Sequence, residues 1–287
     1  MAVIGYTLWV VSDAGIKLVV ESKLPPYEVV AFLGLFAALS IAIFYGGQGK
    51  VRELWPKKPM NQIIRSLLAF GCVTCNAIAL KHLPLTVFYV VVFTSPMIVA
   101  LLASCTLREH LSWSKIIAIV VGFVGVVIAI DPWDHLSGGD WIGYAAATGS
   151  AVFYSFATTM LRFTSQSETT HSIIFMTGMV EVILGFGLMF WHAVPVPLSV
   201  LMIMALMGAV CGSGSIFNAN ALKHTDAATV EQFHYTQIIF GALIGYAIWH
   251  EVPTHNTVFG AIVIVVSGIY IAAVAHQADK NAIALQV

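Results

Sequence analysis

The feature that most constrains this fold is a succession of apolar segments, each about as long as a bilayer is thick. A helix needs about 20 mostly apolar residues to cross the hydrocarbon core, and ten segments of this 287-residue chain reach that length. Short breaks such as LPP at 24–26 and SGGD at 137–140 separate them. The predicted spans are about 2–22, 27–46, 62–81, 85–107, 112–130, 140–163, 171–192, 198–222, 227–249 and 255–276.

Composition excludes a water-soluble domain. Charged residues make up 9% of the chain, hydrophobic residues make up 59%, and the mean hydropathy is +0.89. A typical soluble domain is about 25% charged, so this chain has too few charges to cover a surface in water. It is therefore predicted to be an all-α integral membrane protein surrounded by the lipid bilayer. The net charge of −1 favours no nucleic-acid partner.

The motifs that suggest a metal or a cofactor are incomplete. Cys72 and Cys75 form a CxxC pair without a second pair, and HEVPTH at 250–255 places its histidines five positions apart instead of four. The phosphate-binding pattern GxxxxGK[ST] does not occur. The sequence therefore predicts no metal site, no cofactor and no ATP hydrolysis, and its cysteines are interpreted as small packing residues.

Basic residues predict the orientation, because Lys and Arg accumulate in cytoplasmic loops. With the N-terminus inside, ten of them fall on the cytoplasmic side, and Lys23 and Lys81 fall outside. Both termini are therefore expected in the cytoplasm, and the protein is expected in a bacterial inner membrane. The ten inner residues are Lys50, Arg52, Lys57, Lys58, Arg65, Arg108, Lys115, Arg162, Lys223 and Lys280.

A repeated phrase divides the chain into two halves. NAIALKH at 76–82 recurs as NANALKH 142 residues later, at 218–224, and at the same spacing Thr94 meets Thr236 and Glu109 meets Glu251. Spans 1–5 (residues 1–134) thus correspond to spans 6–10 (residues 138–278). Because five is odd, the second half must enter the membrane inverted. The Lys-His ending itself suits a helix C-terminus, whereas inverted halves are typical of secondary transporters.

Three stretches carry a family resemblance: YTLWVVSDAGIK in span 1, FTSPMIVALLASCTLREHLSWSKIIAIVVGFVGVVI over spans 4–5, and FHYTQIIFGALIGYAIWHEVPTHNTVFGAIVIVVSGIYI over spans 9–10. Together they resemble the EamA branch of the drug/metabolite transporter superfamily. The resemblance implies two inverted five-helix EamA-type repeats around a central cavity lined by spans 1, 3, 4, 6, 8 and 9. It also implies transport of amino acids or small metabolites such as S-adenosylmethionine.

Span 1 carries a charged stripe. Trp9, Asp13 and Lys17 are spaced four residues apart and so share one helix face. A charge near the bilayer centre costs about 2.5–3.5 kcal/mol, which favours an orientation toward the bundle interior. Two interpretations stay open: an Asp13–Lys17 ion pair that orders the helix, and a substrate-binding pair for a zwitterion.

Span 9 carries a second stripe of Glu231, His234 and Tyr235, which also share one face. The 142-residue shift aligns Glu231 with Tyr89 of span 4. These residues are predicted to line the cavity, the alternative being hydrogen bonds between helices.

Three further polar residues are candidates for the cavity. Tyr154 lies in the middle of span 6, and Asn76 and Asn218 are equivalent positions of the two repeats that are either gate residues or packing contacts. Glu181 stands in span 7, outside the spans that the family resemblance places around the cavity, and no role is predicted for it.

The resulting hypothesis is a secondary transporter that moves small polar metabolites by alternating access, with amino acids or related compounds as the expected substrates. Buried carboxylates leave a proton-coupling role open, and the chain is expected to act as a monomer or a homodimer. The alternative is an integral-membrane enzyme that acts on lipids or small molecules with a Glu231/His234 acid–base pair. Polar residues spread over several helices favour the transporter.

Overall fold

The computed structural model describes residues 1–21, 24–107, 113–130, 141–164, 167–190, 194–224 and 233–284. The regular structure within these ranges is helical and forms ten spans. Two of the spans consist of two helical pieces: span 4 of α4 and α5, and span 9 of a 3₁₀ turn at Phe233–Tyr235 and α10. The all-α membrane fold predicted from the sequence is confirmed. The helices are α1 (Ala2–Glu21), α2 (Pro26–Gly46), α3 (Pro59–His82), α4 (Leu85–Val92), α5 (Ser95–Leu107), α6 (Trp113–Ile130), α7 (Trp141–Thr164), α8 (Thr170–Met189), α9 (Leu198–His224), α10 (Thr236–Trp249) and α11 (His255–Ala284).

Five helical stretches of the described chain are long and apolar enough to cross a membrane by length and composition alone. They are α1, α2, α3, α8 and the Leu198–Ala221 part of α9. The apolar stretches Leu85–Val99, Ile116–Ala129 and His255–Tyr270 are shorter. By length and composition alone, the described parts of the remaining spans do not reach this threshold.

Span 4 is broken, although the sequence pattern predicts one continuous helix over 85–107. The α-helix stops at Val92 and restarts at Ser95. Pro96 has no N–H to donate to the Val92 carbonyl, and its ring crowds that same carbonyl. The residues between the two helices remain hydrogen-bonded locally, since Phe93 N–H donates to Tyr89 O at 2.9 Å and Thr94 N–H to Val91 O at 3.1 Å.

Helix starts at one end of the bundle are fixed by local chemistry. Pro59 occupies the first turn of α3, where a missing N–H costs nothing. Glu168 accepts hydrogen bonds from the backbone N–H groups of Lys57 and Lys58 at 2.9 and 2.5 Å. Thr169 caps α8 by accepting from Ser172 N–H at 3.2 Å. The long connection after α2 is thereby attached to the turn between α7 and α8.

The main helix contacts cross between the two halves of the chain. Helix α3 packs along α7, α1 along α9, α2 along α8, and α6 along α11. Short α4 lies inside this arrangement, and seven of its eight residues are buried. Its neighbours are α10 and α7. The side chains of α4 therefore face the interior of the bundle, where the candidate site lies.

Candidate functional site

A cluster of aromatic rings fills the centre of the bundle at the break in span 4. It joins rings from α1, α4, α7 and the 3₁₀ turn before α10, and each ring lies within 6.0 Å of another member of the cluster. We call it the aromatic cluster; its members are Tyr6, Trp9, Tyr89, Phe93, Tyr154, His234 and Tyr235.

His234 is the centre of the aromatic cluster. Its ring stacks on Tyr6 with centroids 4.7 Å apart, meets Phe93 edge-on at 5.0 Å and lies 5.3 Å from Tyr154. The side chain is buried. Helix α1, span 4, span 6 and span 9 therefore converge on one imidazole.

Asp13 supplies the carboxylate beside this cluster. The Tyr89 hydroxyl donates a hydrogen bond to Asp13 Oδ2 at 2.7 Å, which links α1 to α4. Gly241 of α10 permits this position of Tyr89, because a Cβ at 241 would lie 2.5 Å from a Tyr89 ring carbon. The small residues Gly241 and Gly245 thus let α10 lie close to α4.

Trp9 connects the cluster to α9. Its indole Nε1 donates to the Ser215 hydroxyl at 3.2 Å. One turn further along α9, Asn218 is buried against Gly5, and its amide oxygen and nitrogen have no hydrogen-bond partner in the described part of the chain. Gln237 Nε2 donates to the Tyr6 carbonyl oxygen at 3.1 Å. Polar groups of α9 and α10 thus border the cluster on the side of α1.

Lys17 does not pair with Asp13, so of the two interpretations left open, the intrahelical ion pair is wrong. Lys17 forms an ion pair with Glu251, which lies 234 residues away in the turn after α10. Its Nζ also donates to Leu83 O at 3.3 Å and stands 4.8 Å from the centroid of the Trp249 ring. Glu251 Oε2 accepts from Leu85 N–H at 2.9 Å. Asp13 has its own partner in Tyr89, and Lys17 finds an oppositely charged group across the bundle.

We call the Lys17–Glu251 pair, with its contacts to Leu83 O and Leu85 N–H, the latch. It joins α1 to the turn between α3 and α4 and to the turn between α10 and α11. Trp249 Nε1 adds a hydrogen bond to Glu21 Oε2 at 3.0 Å at the same end of the bundle. The latch end of the bundle is therefore held closed by charge and by hydrogen bonds.

The other predicted site residues separate into three groups. Tyr154 and Tyr235 belong to the aromatic cluster, as described above. Asn76 accepts a hydrogen bond from Ser150 and lies in the contact between α3 and α7, which places it in helix packing. Glu231 lies outside the described residues.

Glu181 also has a described position. Its side chain lies against Gly34 of α2, because a Cβ at Gly34 would come within 2.7 Å of Glu181 Oε2. One turn earlier on the same helix, Thr177 accepts a hydrogen bond from Arg65 of α3. Glu181 thus faces α2 and α3 and stands apart from the aromatic cluster.

Sequence reasoning missed three residues that the structure brings to the site. Tyr6 precedes Trp9 by three positions and therefore lies on the same helix face. The stripe of Trp9, Asp13 and Lys17 could thus have been extended to Tyr6 from the sequence. Phe93 aligns with Tyr235 in the repeat. Glu251 aligns with Glu109, but its pairing with Lys17 joins distant parts of the sequence and has no local signal.

This arrangement suits recognition of a small molecule that carries a positive charge. A cation over an aromatic face gains about 0.5–2 kcal/mol, and more when water is excluded. The Asp13 carboxylate supplies the matching negative charge, and a membrane interior strengthens both interactions because its dielectric constant is low. The discontinuous helices at the same depth are typical of transporter binding sites.

Comparison with known proteins shows which family this chain matches. A sequence profile of the EamA-like transporter family matches residues 1–130 and 141–273. The S-adenosylmethionine uptake transporter of Rickettsia bellii is 24% identical over 253 residues, which are 87% of this chain and 84% of that protein. The pseudopaline exporter of Pseudomonas aeruginosa is 27% identical over 251 residues, 86% of each chain.

A solved crystal structure shares the fold, with a TM-score of 0.66 and 17% identity over 95% of this chain and 96% of its own. The family is one of transporters, so the alternative of a membrane enzyme is not supported. The family profile covers most of both halves, and the resemblance noted in spans 1, 4–5 and 9–10 is confirmed. The chain belongs to the EamA-like transporter family.

Proposed function

We propose that this protein moves small polar metabolites that carry an ammonium group, amino acids or related compounds, across the membrane by alternating access. The observation that carries the proposal is the Asp13 carboxylate, held by Tyr89 at 2.7 Å beside the aromatic cluster. The carboxylate binds the ammonium group and the rings enclose the rest of the solute. A bilayer-embedded carboxylate is costly, and a role in binding accounts for its position.

The proposed alternation takes place between two inverted repeats, residues 1–134 and 138–278. Two features support this division. Two of the main helix contacts, α3 with α7 and α1 with α9, exchange when each span is replaced by its counterpart in the other half. Spans 4 and 9 also restart as α-helices at equivalent positions, the repeat-related Thr94 and Thr236. Helix α10 begins at Thr236, and α5 begins directly after Thr94. Such inverted pairs let each half open in turn.

In the proposed orientation both termini are cytoplasmic and the latch end faces outward. The excess of Lys and Arg at the opposite end supports this orientation. Single cysteines at Val252, which is 75% exposed near the latch, and at Gln48, which is exposed at the other end, test it. In intact cells a membrane-impermeant maleimide should label Val252→Cys, and should label Gln48→Cys only after permeabilisation. The reverse pattern would invert the proposed topology.

The substrate proposal is tested by uptake into proteoliposomes. The panel consists of pooled labelled amino acids, S-adenosylmethionine and a neutral sugar, because the two relatives act on S-adenosylmethionine and pseudopaline. We expect uptake of at least one ammonium-bearing solute and none of the sugar. Each assay is run with and without a pH gradient, which decides whether transport is coupled to protons. Equal uptake of the sugar, or no uptake of any ammonium-bearing solute, would contradict the substrate class.

A further inference from the structure

A cavity of about 180 Å³ lies at the latch end, and Glu251 is one of the residues that line it. The turn between α3 and α4, the turn between α10 and α11 and the start of α7 form its walls; the residues used below are Thr86, Glu251, Thr254 and Thr257. The volume is far above the ~15 Å³ that holds one water. We call this cavity the vestibule.

The lining of the vestibule combines one carboxylate with hydroxyl groups. Glu251 is the only carboxylate among the described residues that line it. Thr86 lines the vestibule and is 4% exposed, and its buried hydroxyl has no hydrogen-bond partner in the described chain. Thr257 is buried beside Thr254, with 2.9 Å between their hydroxyl oxygens. A buried hydroxyl without a partner is unfavourable unless a solvent or solute group satisfies it.

Glu251 is shared between the latch and the vestibule. One of its oxygens contacts Lys17, and the other accepts the Leu85 N–H. A carboxylate offers about four lone-pair sites, so these two contacts leave room for a donor arriving from the vestibule. An ammonium group there would meet the same carboxylate that neutralises Lys17 and would weaken the ion pair that closes the latch.

We propose that the vestibule is an external binding site for the ammonium group of a solute, which Glu251 binds in competition with Lys17. Thr86 accepts a hydrogen bond from the same ammonium group. Occupation of the vestibule releases Lys17 and opens the path toward the aromatic cluster. That the vestibule faces the outside of the cell rests on the proposed function and its orientation. The existence of the binding site does not depend on them.

The test is a thermal-unfolding titration of the purified protein with ethanolamine, which has an ammonium group and no carboxylate. Sodium acetate at equal ionic strength is the control probe. A ligand that binds the folded state raises the unfolding temperature in a saturable manner. We expect saturation with ethanolamine and not with acetate. Glu21→Gln is the control variant. Glu21 accepts a hydrogen bond from Trp249 but does not line the vestibule, so this variant should retain the ethanolamine response.

Competition gives opposite effects for the two partners of the latch. Lys17→Met removes the competitor and should lower the half-saturating ethanolamine concentration at least severalfold. Glu251→Gln should abolish the saturable shift, and the double variant Lys17→Met/Glu251→Gln, which leaves no unpaired charge, should abolish it as well. Thr86→Val should raise the half-saturating concentration.

Three results would overturn the proposal: no saturable shift in the unaltered protein, an unchanged shift in the double variant, or weaker binding in Lys17→Met. Since none of these measurements uses transport, they separate this site from the proposed function. A saturable shift together with an inactive protein in proteoliposomes would leave the vestibule site standing and contradict the transport proposal alone.

Discussion

At the scale of single residues, Asp13 and Lys17 show how a membrane interior separates two charges that stand one turn apart. Each has a partner on another element: Asp13 accepts from Tyr89, and Lys17 pairs with Glu251. Asp13 is thereby left with a neutral partner, and in the proposed function its carboxylate binds the ammonium group of the solute. Lys17 is neutralised within the protein and serves to close one end.

Asp13→Asn should reduce uptake at least tenfold with little loss of stability, because the amide still accepts the Tyr89 hydrogen bond but carries no charge. Tyr89→Phe is the matched variant: it keeps the carboxylate and removes one hydrogen bond, worth about 0.6 kcal/mol in a membrane protein. Uptake in proteoliposomes and thermal unfolding are measured for both. Equal loss of uptake in the two variants, or unchanged uptake in Asp13→Asn, would show that the charge itself is not used.

The residues of the site were predictable from the sequence where one helix face carried the signal. Trp9 and Asp13, and likewise His234 and Tyr235, are close in sequence and lie in or beside the aromatic cluster. The pairs Lys17–Glu251 and Asp13–Tyr89 could not be predicted, because they depend on how different helices pack. Asn76 carried a repeat signal, but its hydrogen bond to Ser150 serves the contact of α3 with α7.

At the scale of helices, the contact between α4 and α10 positions Tyr89. Gly241→Ala should reduce uptake and lower the free energy of unfolding by about 1–3 kcal/mol, a cost typical of overpacking, because the new methyl group displaces the Tyr89 ring. Gly187→Ala in α8 is the control, since nothing lies within 4 Å of a Cβ there. It should leave uptake unchanged and be neutral or slightly stabilising. Equal effects of the two substitutions on uptake would exclude the packing of Tyr89 as the cause.

The break in span 4 gives a second test at this scale. Pro96→Ala restores an N–H that reaches the Val92 carbonyl, which should let α4 and α5 merge, lower uptake and leave thermal stability unchanged or higher. Pro59→Ala, at the first turn of α3, is the control and should change neither quantity appreciably, since proline is tolerated there. Normal uptake in Pro96→Ala would show that transport does not need the break.

Apolar length predicted the number of spans well, because the bilayer sets that length independently of the fold. The break was not predicted, although Pro96 is visible in the sequence, since a proline in a membrane helix is often tolerated without a break when neighbouring groups satisfy the freed carbonyl. The connection at 46–61 contains a 3₁₀ turn at Val51–Leu54. Its attachment to Glu168 joins residues from opposite halves of the chain, which local patterns do not reveal.

At the scale of the whole molecule, closure of one end while the other opens distinguishes a transporter from a channel. The latch closes one end through α1, α4 and the turn after α10. In the proposed transport cycle, the opening of that end requires α4 to separate from α10. A covalent link between these two helices should therefore stop the cycle without unfolding the protein.

Leu85 and Gly245 offer a site for such a link, because a Cβ at Gly245 would lie 3.7 Å from the Leu85 Cβ. That separation falls within the ~3.5–4.5 Å found in disulfides. Both positions are changed to cysteine in a variant whose four native cysteines are replaced by alanine. Gly245→Cys alone, oxidised in the same way, controls for crowding of Glu251 by the new side chain.

Uptake by Leu85→Cys/Gly245→Cys in proteoliposomes, before oxidation, after oxidation and after reduction, tests alternating access most directly. The substrate is any solute of the panel that the unaltered protein transports. Alternating access predicts uptake that is lost when the disulfide forms and returns when it is reduced, while the single variant stays active throughout. Full uptake with the cross-link complete would contradict it.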